Sequence, residues 1–372
     1  MMRSRVFLIC VSLLLALPLL VLLATGYGET GQQGIFSAAH VVLAELNLTA
    51  PHADHFVLKL RLLRALCAIG VGGSLALAGA MMQGLFRNPM AEPGLLGISS
   101  GASLGAITGI ALLGGYGAEI WSNAGGGSLT LAVVPMLAFA GALTAALAIY
   151  KLSTRAGKIS VPSLLLMGLA MNALLGALIA AMQAVMLENW QVARAIVAWG
   201  FGSLDDRGTG HVIVVACGSI LALASIPYVG LELDLLAGGE EDAASLGANP
   251  ARVKTIVLAC AALATAAAIS VSGQIAFVGL LVPHLARPFV GVHHRAVLPT
   301  SFLLGAVLLL SIVVIQSGLC PMLANVIDPR HEATGARALL RISQLQPGVL
   351  TSLLGAPFFL FLLLRQERMN AL

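Results

Sequence analysis

From Val6 to Thr25 the chain reads VFLICVSLLLALPLLVLLAT and carries no charged or amide side chain. A helix of that length spans about 30 Å, the hydrocarbon thickness of a bilayer. Similar runs return along the whole sequence, and they constrain the fold before any other feature does. We read ten, at roughly 6–25, 62–85, 94–114, 129–151, 162–187, 211–228, 252–271, 276–290, 298–317 and 349–364. The eighth is short, of the length of a half helix or a re-entrant segment. Composition agrees. The 372 residues are 59% hydrophobic and only 10% charged, against about 25% charged in a soluble domain. A soluble chain of this length has no means of covering so much apolar surface. Strands of an outer-membrane barrel alternate and rarely give long apolar runs. The expected fold is therefore all-α, a polytopic transmembrane helical bundle of about ten helices in one domain, residues 1–372.

The short segments between the runs supply orientation. With Arg3 and Arg5 inside, 12 of the 20 cations fall on the cytoplasmic side, most densely in KLSTRAGK after the fourth run. The first run is long for a cleaved signal peptide and is expected to stay as a helix. Eight cations remain outside, among them Lys59, Arg61 and Arg64. That excess asks for a separate explanation, either headgroup contact or an acidic partner. The cations are scattered over many loops, with no basic cluster and interleaved aromatics, so no nucleic-acid partner is expected.

The chemistry the chain lacks also narrows its function. No ionisable residue stands at the centre of a predicted span, where gradient-driven carriers place one. No GxxxxGK[ST] phosphate loop is present, RAGKIS at 155–160 being the nearest approach. The five cysteines show no CxxC spacing and read as small hydrophobes. His52, Asp54 and His55 match no strong metal motif, and His284, His293 and His294 read as interfacial, so we expect no metal and no catalytic constellation.

Two segments carry positive information. In ELDLLAGGEEDAASLGANPARVK, residues 232–254, the acids Glu240, Glu241 and Asp242 suit a helix N-terminus. Ala243, Ala244 and Leu246 continue that short helix, and Gly247 with Asn249-Pro250 stops it. It reads either as a capped connector or as a docking helix for a cytoplasmic partner. In the fifth run, Asn172 and Gln183 are eleven residues apart and share a helix face with Gly168, Gly176 and Ala180. Met171, Met182 and Met186 flank it. An amide in lipid either bonds a neighbouring helix or lines a cavity.

Several long segments together resemble one family, the membrane permeases of type II ABC importers for iron chelates, haem and vitamin B12. They are RLLRALCAIGVGGSLALAGAMMQGLFRNPMAEPGLLGISSGASLGA at 61–106, DLLAGGEEDAASLGANPARV at 234–253, SGQIAFVGLLVPHLARPFVG at 272–291 and PGVLTSLLGAPFFLFLL at 347–363. WGFGSL at 199–204 is a weaker echo. The resemblance implies a homodimer around a central pathway, with two cytoplasmic ATPase subunits docked at 234–253, where Asp234, Leu235, Glu240, Glu241, Asp242, Ala243, Ala244 and Gly247 lie. ATP and magnesium would be bound by those partners, and no cofactor by this chain. It implies a periplasmic binding protein whose acids meet Arg61 and Arg64, and a pathway wall on the fifth helix carrying Gly168, Met171, Asn172, Gly176, Gln183 and Met186. It also implies a bacterial inner-membrane location with the N-terminus inside.

One region departs from that pattern. Relatives usually have an Asp after the ninth leucine run, where this chain has Ser311, and then reach ELP(I/V)GV after a short loop. Here residues 318–346 form a longer segment, expected to be an extended periplasmic loop, and it ends in QLQPGV. A third docking arginine is thereby left to Arg330, Arg337 or Arg341. Finally, Gly97, Gly101, Gly105 and Gly109 form a four-residue ladder along the third run, a face for close helix contact that by itself also reads as a dimer motif. The resemblance, which assigns dimer and pathway contacts to other helices, implies packing within one subunit.

Overall fold

The computed structural model describes residues 2–27, 34–45, 55–115, 128–155, 158–328 and 334–370. Its helices are α1 (Met2–Gly26), α2 (Gly34–Glu45), α3 (His55–Phe86), α4 (Ile98–Leu113), α5 (Ser128–Ser153), α6 (Val161–Met186), α7 (Trp190–Gly200) and α8 (Thr209–Gly238). There follow α9 (Glu240–Ser245), α10 (Pro250–Ser272), α11 (Val278–Val290), α12 (His294–Val314), α13 (Cys320–Ile327), α14 (Thr334–Ser343) and α15 (Pro347–Asn370). Thr154–Arg155 and Lys158–Ile159 pair as a minimal antiparallel hairpin after α5. Among the described residues seven helices are long and apolar enough to cross a membrane, and α14 with α15, bent by 101°, makes an eighth. The helices α4 and α11 are apolar but shorter, so each of the ten runs becomes helical. The short eighth run is the 13-residue α11.

Lipid tails are as apolar as leucine, so helices in a bilayer associate by close packing rather than by expelling water. The side chains are sorted accordingly. Phe7, Leu8 and Leu15 of α1 lie exposed on the outside of the bundle, whereas in the interior many alanines are interleaved with larger side chains such as Leu77, Met81 and Leu309. The hub is α3, which packs on α12, α10, α8, α11 and α1; 89% of its most apolar window is buried. Ala65, Ala68, Ala76, Ala78 and Ala80 face inward, with glycines between them where neighbouring backbones touch. A Cβ on Gly72 would stand 2.3 Å from the Gly305 carbonyl oxygen, and one on Gly79 only 1.9 Å from that of Gly279. Buried polar groups join the same helices. The Ser74 and Ser219 hydroxyls are 2.8 Å apart between α3 and α8, and Gln83 donates to the Gly279 and Leu280 carbonyls of α11.

The ladder of the third run packs on α5 of the same chain, as expected. A Cβ at Gly101 would lie 2.4 Å from the Gly141 carbonyl oxygen, and one at Gly105 2.0 Å from that of Leu137. Gly97 serves differently. It takes φ +67, closing the 3-10 turn Pro93–Leu96 and turning the chain into α4.

Helix ends differ from the expected spans in one direction. The helix α8 does not stop near 228 but runs through Pro227 to Gly238, and α3 starts seven residues before the apolar run, at His55. Hydropathy marks what lipid covers, and a helix continues into water where capping and packing allow. The described residues of 318–346, expected as a loop, are largely helical: a π-turn Ile315–Leu319 leads into α13, and α14 packs back on α13.

Two outcomes follow. Gly101→Leu drives a side chain into α5 backbone and should cost about 2 kcal/mol or more, lowering both the yield of folded protein and its thermal midpoint in detergent. Gly176→Leu, with open space around it, should leave the midpoint unchanged; equal losses in both would refute the ladder's role. Glu92 precedes the Pro93–Leu96 turn, and burial raises its carboxyl above the ordinary 4.5. The folded chain keeps this proton at pH values where the unfolded chain has lost it. Stability should therefore fall as pH climbs from 4.5 through the raised value. Glu92→Gln should flatten that slope in thermal unfolding measured across pH.

Candidate functional site

Three places hold the residues picked out in the sequence: the open face of α6, the end of the bundle at Asp234, and the opposite end of α3 at Arg61.

Only 17% of the most apolar window of α6 is buried. Its first half is braced from inside. A Cβ on Gly168 would lie 2.2 Å from the Leu95 carbonyl oxygen, so this glycine lets α6 close on the Pro93–Leu96 turn. Asn172 donates to the Gly94 carbonyl at 3.0 Å and accepts from Ser100 Oγ at 2.7 Å. That amide joins α6 to the turn and to α4, the first of its two possible roles. Met171 is half-buried near Gly97. Beyond it the helix opens: a Cβ on Gly176 would meet nothing within 4 Å, Gln183 is exposed, and Met186 is half-buried. The six candidates thus divide. Gly168 and Asn172 hold the helix in place, while Gly176 and Gln183 face outward from the chain.

At the Asp234 end, the extension of α8 carries Asp234 and Leu235 past the expected span to the end of the bundle, both half-buried. Asp234 accepts from the His294 backbone N–H at 2.6 Å, and its Oδ1 lies 2.9 Å from His294 Nδ1. It thereby caps α12. His293 Nδ1 is 4.0 Å from the same carboxylate. The helix α9 then starts with Glu240, Glu241 and Asp242 in its first turn, where exposed N–H groups favour negative charge. One side is seated: Ala243 is fully buried, and the recessed Lys254 ammonium meets both Glu240 oxygens at 2.7 and 2.8 Å. The other side is free. Glu241, Asp242, Ala244 and Gly247 are exposed, and Leu246 is 72% exposed at the tip. Gly247 takes φ +91, a conformation open to glycine at no steric cost. The Asn249 side chain accepts from Arg252 N–H at 3.1 Å to begin α10.

At the opposite end of α3, Lys59 pairs with Glu45 at 3.0 Å. Arg61 is half-buried and donates to the Thr25 carbonyl at 3.4 Å. Arg64 Nη1 is 3.0 Å from Asp205, and Nη2 donates to Gln316 Oε1 at 3.3 Å. Asp205, Gln316 and Lys254 were not singled out in the sequence, and His294 was read only as interfacial. Each is a lone polar residue whose partner is distant along the chain, and only Lys254, beside an acid-rich helix, left a signal. Of the candidates for a third docking arginine, Arg337 and Arg341 are exposed on α14, and Arg330 lies outside the described residues, as do His52 and Asp54. Among the described residues no group of three metal-ligating side chains occurs.

Comparison with known proteins bears on this geometry. The profile of the FecCD transport family matches residues 13–323, ending within α13. The chain is 36% identical over 333 residues to the cobalamin import system permease protein BtuC of Halobacterium salinarum, covering 87% of this chain and 78% of that one. To the hemin transport system permease protein HmuU of Yersinia pestis it is 36% identical over 326 residues, 85% of each. To the ferric enterobactin transport system permease protein FepD of Escherichia coli it is 36% identical over 335 residues, 90% and 89% of the two chains. Among solved structures, a metal-chelate type ABC transporter in an inward-facing conformation superposes with a TM-score of 0.73 at 24% identity, covering 96% of this chain and 99% of the other. That likeness speaks for the fold alone. The sequence match extends over most of the chain and over the segments at both ends of the bundle, so this integral membrane protein belongs to the FecCD transport family of ABC permeases.

Proposed function

We propose that the chain is the permease subunit of an ATP-driven importer that carries an iron complex, a ferric siderophore or haem, across the bacterial inner membrane by alternating access. The observation that carries this reading is the mounting of α9. A short acidic helix with an exposed Leu246 is held at the base of two long helices by Lys254 and Ala243, the arrangement needed to pass on the movement of an attached subunit. Two ATPase subunits dock there in this reading. Their closure on ATP and magnesium pushes α8 and α10, and Asp234 passes the push to α12. A permease without such a two-state partner has no reason to cycle.

Further observations fit. The open face of α6 suits a homodimer around a shared pathway, with Gly176, Gln183 and Met186 toward it. Arg61 and Arg64 suit an acidic binding protein on the periplasmic side, with the N-terminus in the cytoplasm. Of the relatives described above, one is named for hemin and one for ferric enterobactin, while cobalamin is the competing cargo. A gradient-driven carrier is disfavoured because no acidic residue stands at mid-length in the long apolar helices.

Uptake by proteoliposomes containing the permease, its ATPase and its binding protein tests the proposal. ATP-dependent accumulation of labelled haem or ferric siderophore is expected. Preferred uptake of cobalamin would change the cargo, and uptake driven by an imposed ion gradient without an ATPase would sink the reading. Gly247→Leu should abolish coupled uptake while the protein remains folded in the membrane, since it strains only an exposed turn; normal uptake would argue against coupling through this segment. Asp234→Ala removes the cap of α12 and should cost about 1–2 kcal/mol in unfolding assays, whereas Asp234→Asn keeps an acceptor and should cost less.

A further inference from the structure

The contact between Arg64 and Asp205 is not built like a permanent structural ion pair. The guanidinium is recessed at 19% exposure, while the carboxylate is 49% exposed. Arg64 Nε is buried with no hydrogen-bond partner, so the arginine is only partly satisfied by Asp205 and Gln316. Asp205 sits in the turn between α7 and α8, where its carboxylate accepts from Ser203 Oγ at 3.0 Å and its backbone N–H donates to the same hydroxyl at 3.1 Å. Neighbouring Arg207 bonds back to the Ser203 carbonyl at 3.0 Å. An ion pair of this exposure is weak, worth at most about a five-fold change in an equilibrium.

The turn also touches the starts of two other helices. The Gly202 carbonyl accepts from Gly348 N–H, in the first turn of α15, at 3.2 Å. A Cβ on Gly202 would meet the Gln274 carbonyl oxygen at 2.2 Å, so the turn lies against the link before α11. On the other side, Gln316 of the π-turn donates to the Leu345 carbonyl, just ahead of α15. Arg64 is therefore the meeting point of two backbone braces that both reach the start of α15.

We propose that Asp205 is an internal counter-ion, holding Arg64 extended until a carboxylate of an acidic protein partner takes its place. The exchange frees the 201–208 turn from α3 and loosens its hold on α15. This rests on the docking reading of Arg61 and Arg64, and adds to it an acid within the chain that competes with the partner. Arrival of the partner and release of the turn are then one event.

The test uses the full chain in lipid nanodiscs, a glutamate-rich synthetic peptide as the acidic probe, and binding measured at low and high salt. Asp205→Asn should bind the probe about two- to five-fold more tightly than wild type. Asp206→Asn makes the same charge change without touching the Arg64 pair and should gain less. Asp205→Glu restores the carboxylate and should return to wild-type affinity. Arg64→Gln should weaken binding, and Asp205→Asn added to it should gain no more than Asp206→Asn does. Hydrogen exchange at amides 203–205 should rise when wild type binds the probe. Equal gains from Asp205→Asn and Asp206→Asn, or an Asp205→Asn gain that survives Arg64→Gln, would overturn the exchange while leaving docking intact. Arg64→Gln binding as well as wild type would instead overturn the docking reading itself.

Discussion

Backbone-to-backbone contact at small residues is the constraint on which the rest of this bundle depends. A bilayer offers helices little reward for hiding leucine, so attraction must come from surfaces that approach closely. Gly72 against Gly305, Gly79 against Gly279 and Gly101 against Gly141 provide those approaches. The same economy of size decides where α8, α12 and α3 converge. A Cβ on Gly84 would stand 2.6 Å from His294 Nε2, so the imidazole that meets Asp234 is lodged against α3. The end of the bundle that carries α9 is thus continuous with the hub.

Much of this fold was legible because lipid is a simple solvent. A run without charge must be helical and must be about as long as the membrane is thick. That argument located all ten apolar segments and the shortness of α11. It misjudged the ends of α3 and α8 because charged turns such as those at Lys59 and Asp234 remain helical outside the apolar layer. It pointed to no helix within residues 318–346 for a related reason. Their apolar residues come in pieces too short to signal a span, and α13 and α14 pack on each other.

The candidate residues were legible in proportion to how local their signal was. The helix α9 carries its own start and stop: acids at the first turn, then Gly247 and Asn249. Asn172 could be placed on a face, but its role depended on Gly94 and Ser100, which only folding brings to it. Arg64 with Asp205 and Lys254 with Glu240 are ion pairs between different segments, and a single sequence does not show who meets whom. Gly168 shows the limit of reading a helix face by periodicity. It shares the outward register of Gln183 yet is covered, because the Pro93–Leu96 turn crosses that half of α6.

The bare second half of α6 has a consequence for the cell that makes this protein. In the proposed homodimer a second copy covers it; without that copy a polar amide at Gln183 and a row of small residues would stay uncovered. An unpaired subunit would then be the less stable form at a face that the proposed assembly hides. In the proposed homodimer that asymmetry would let membrane quality control distinguish orphans from assembled pairs, and subunit abundance would follow how quickly copies meet rather than how quickly they are synthesised.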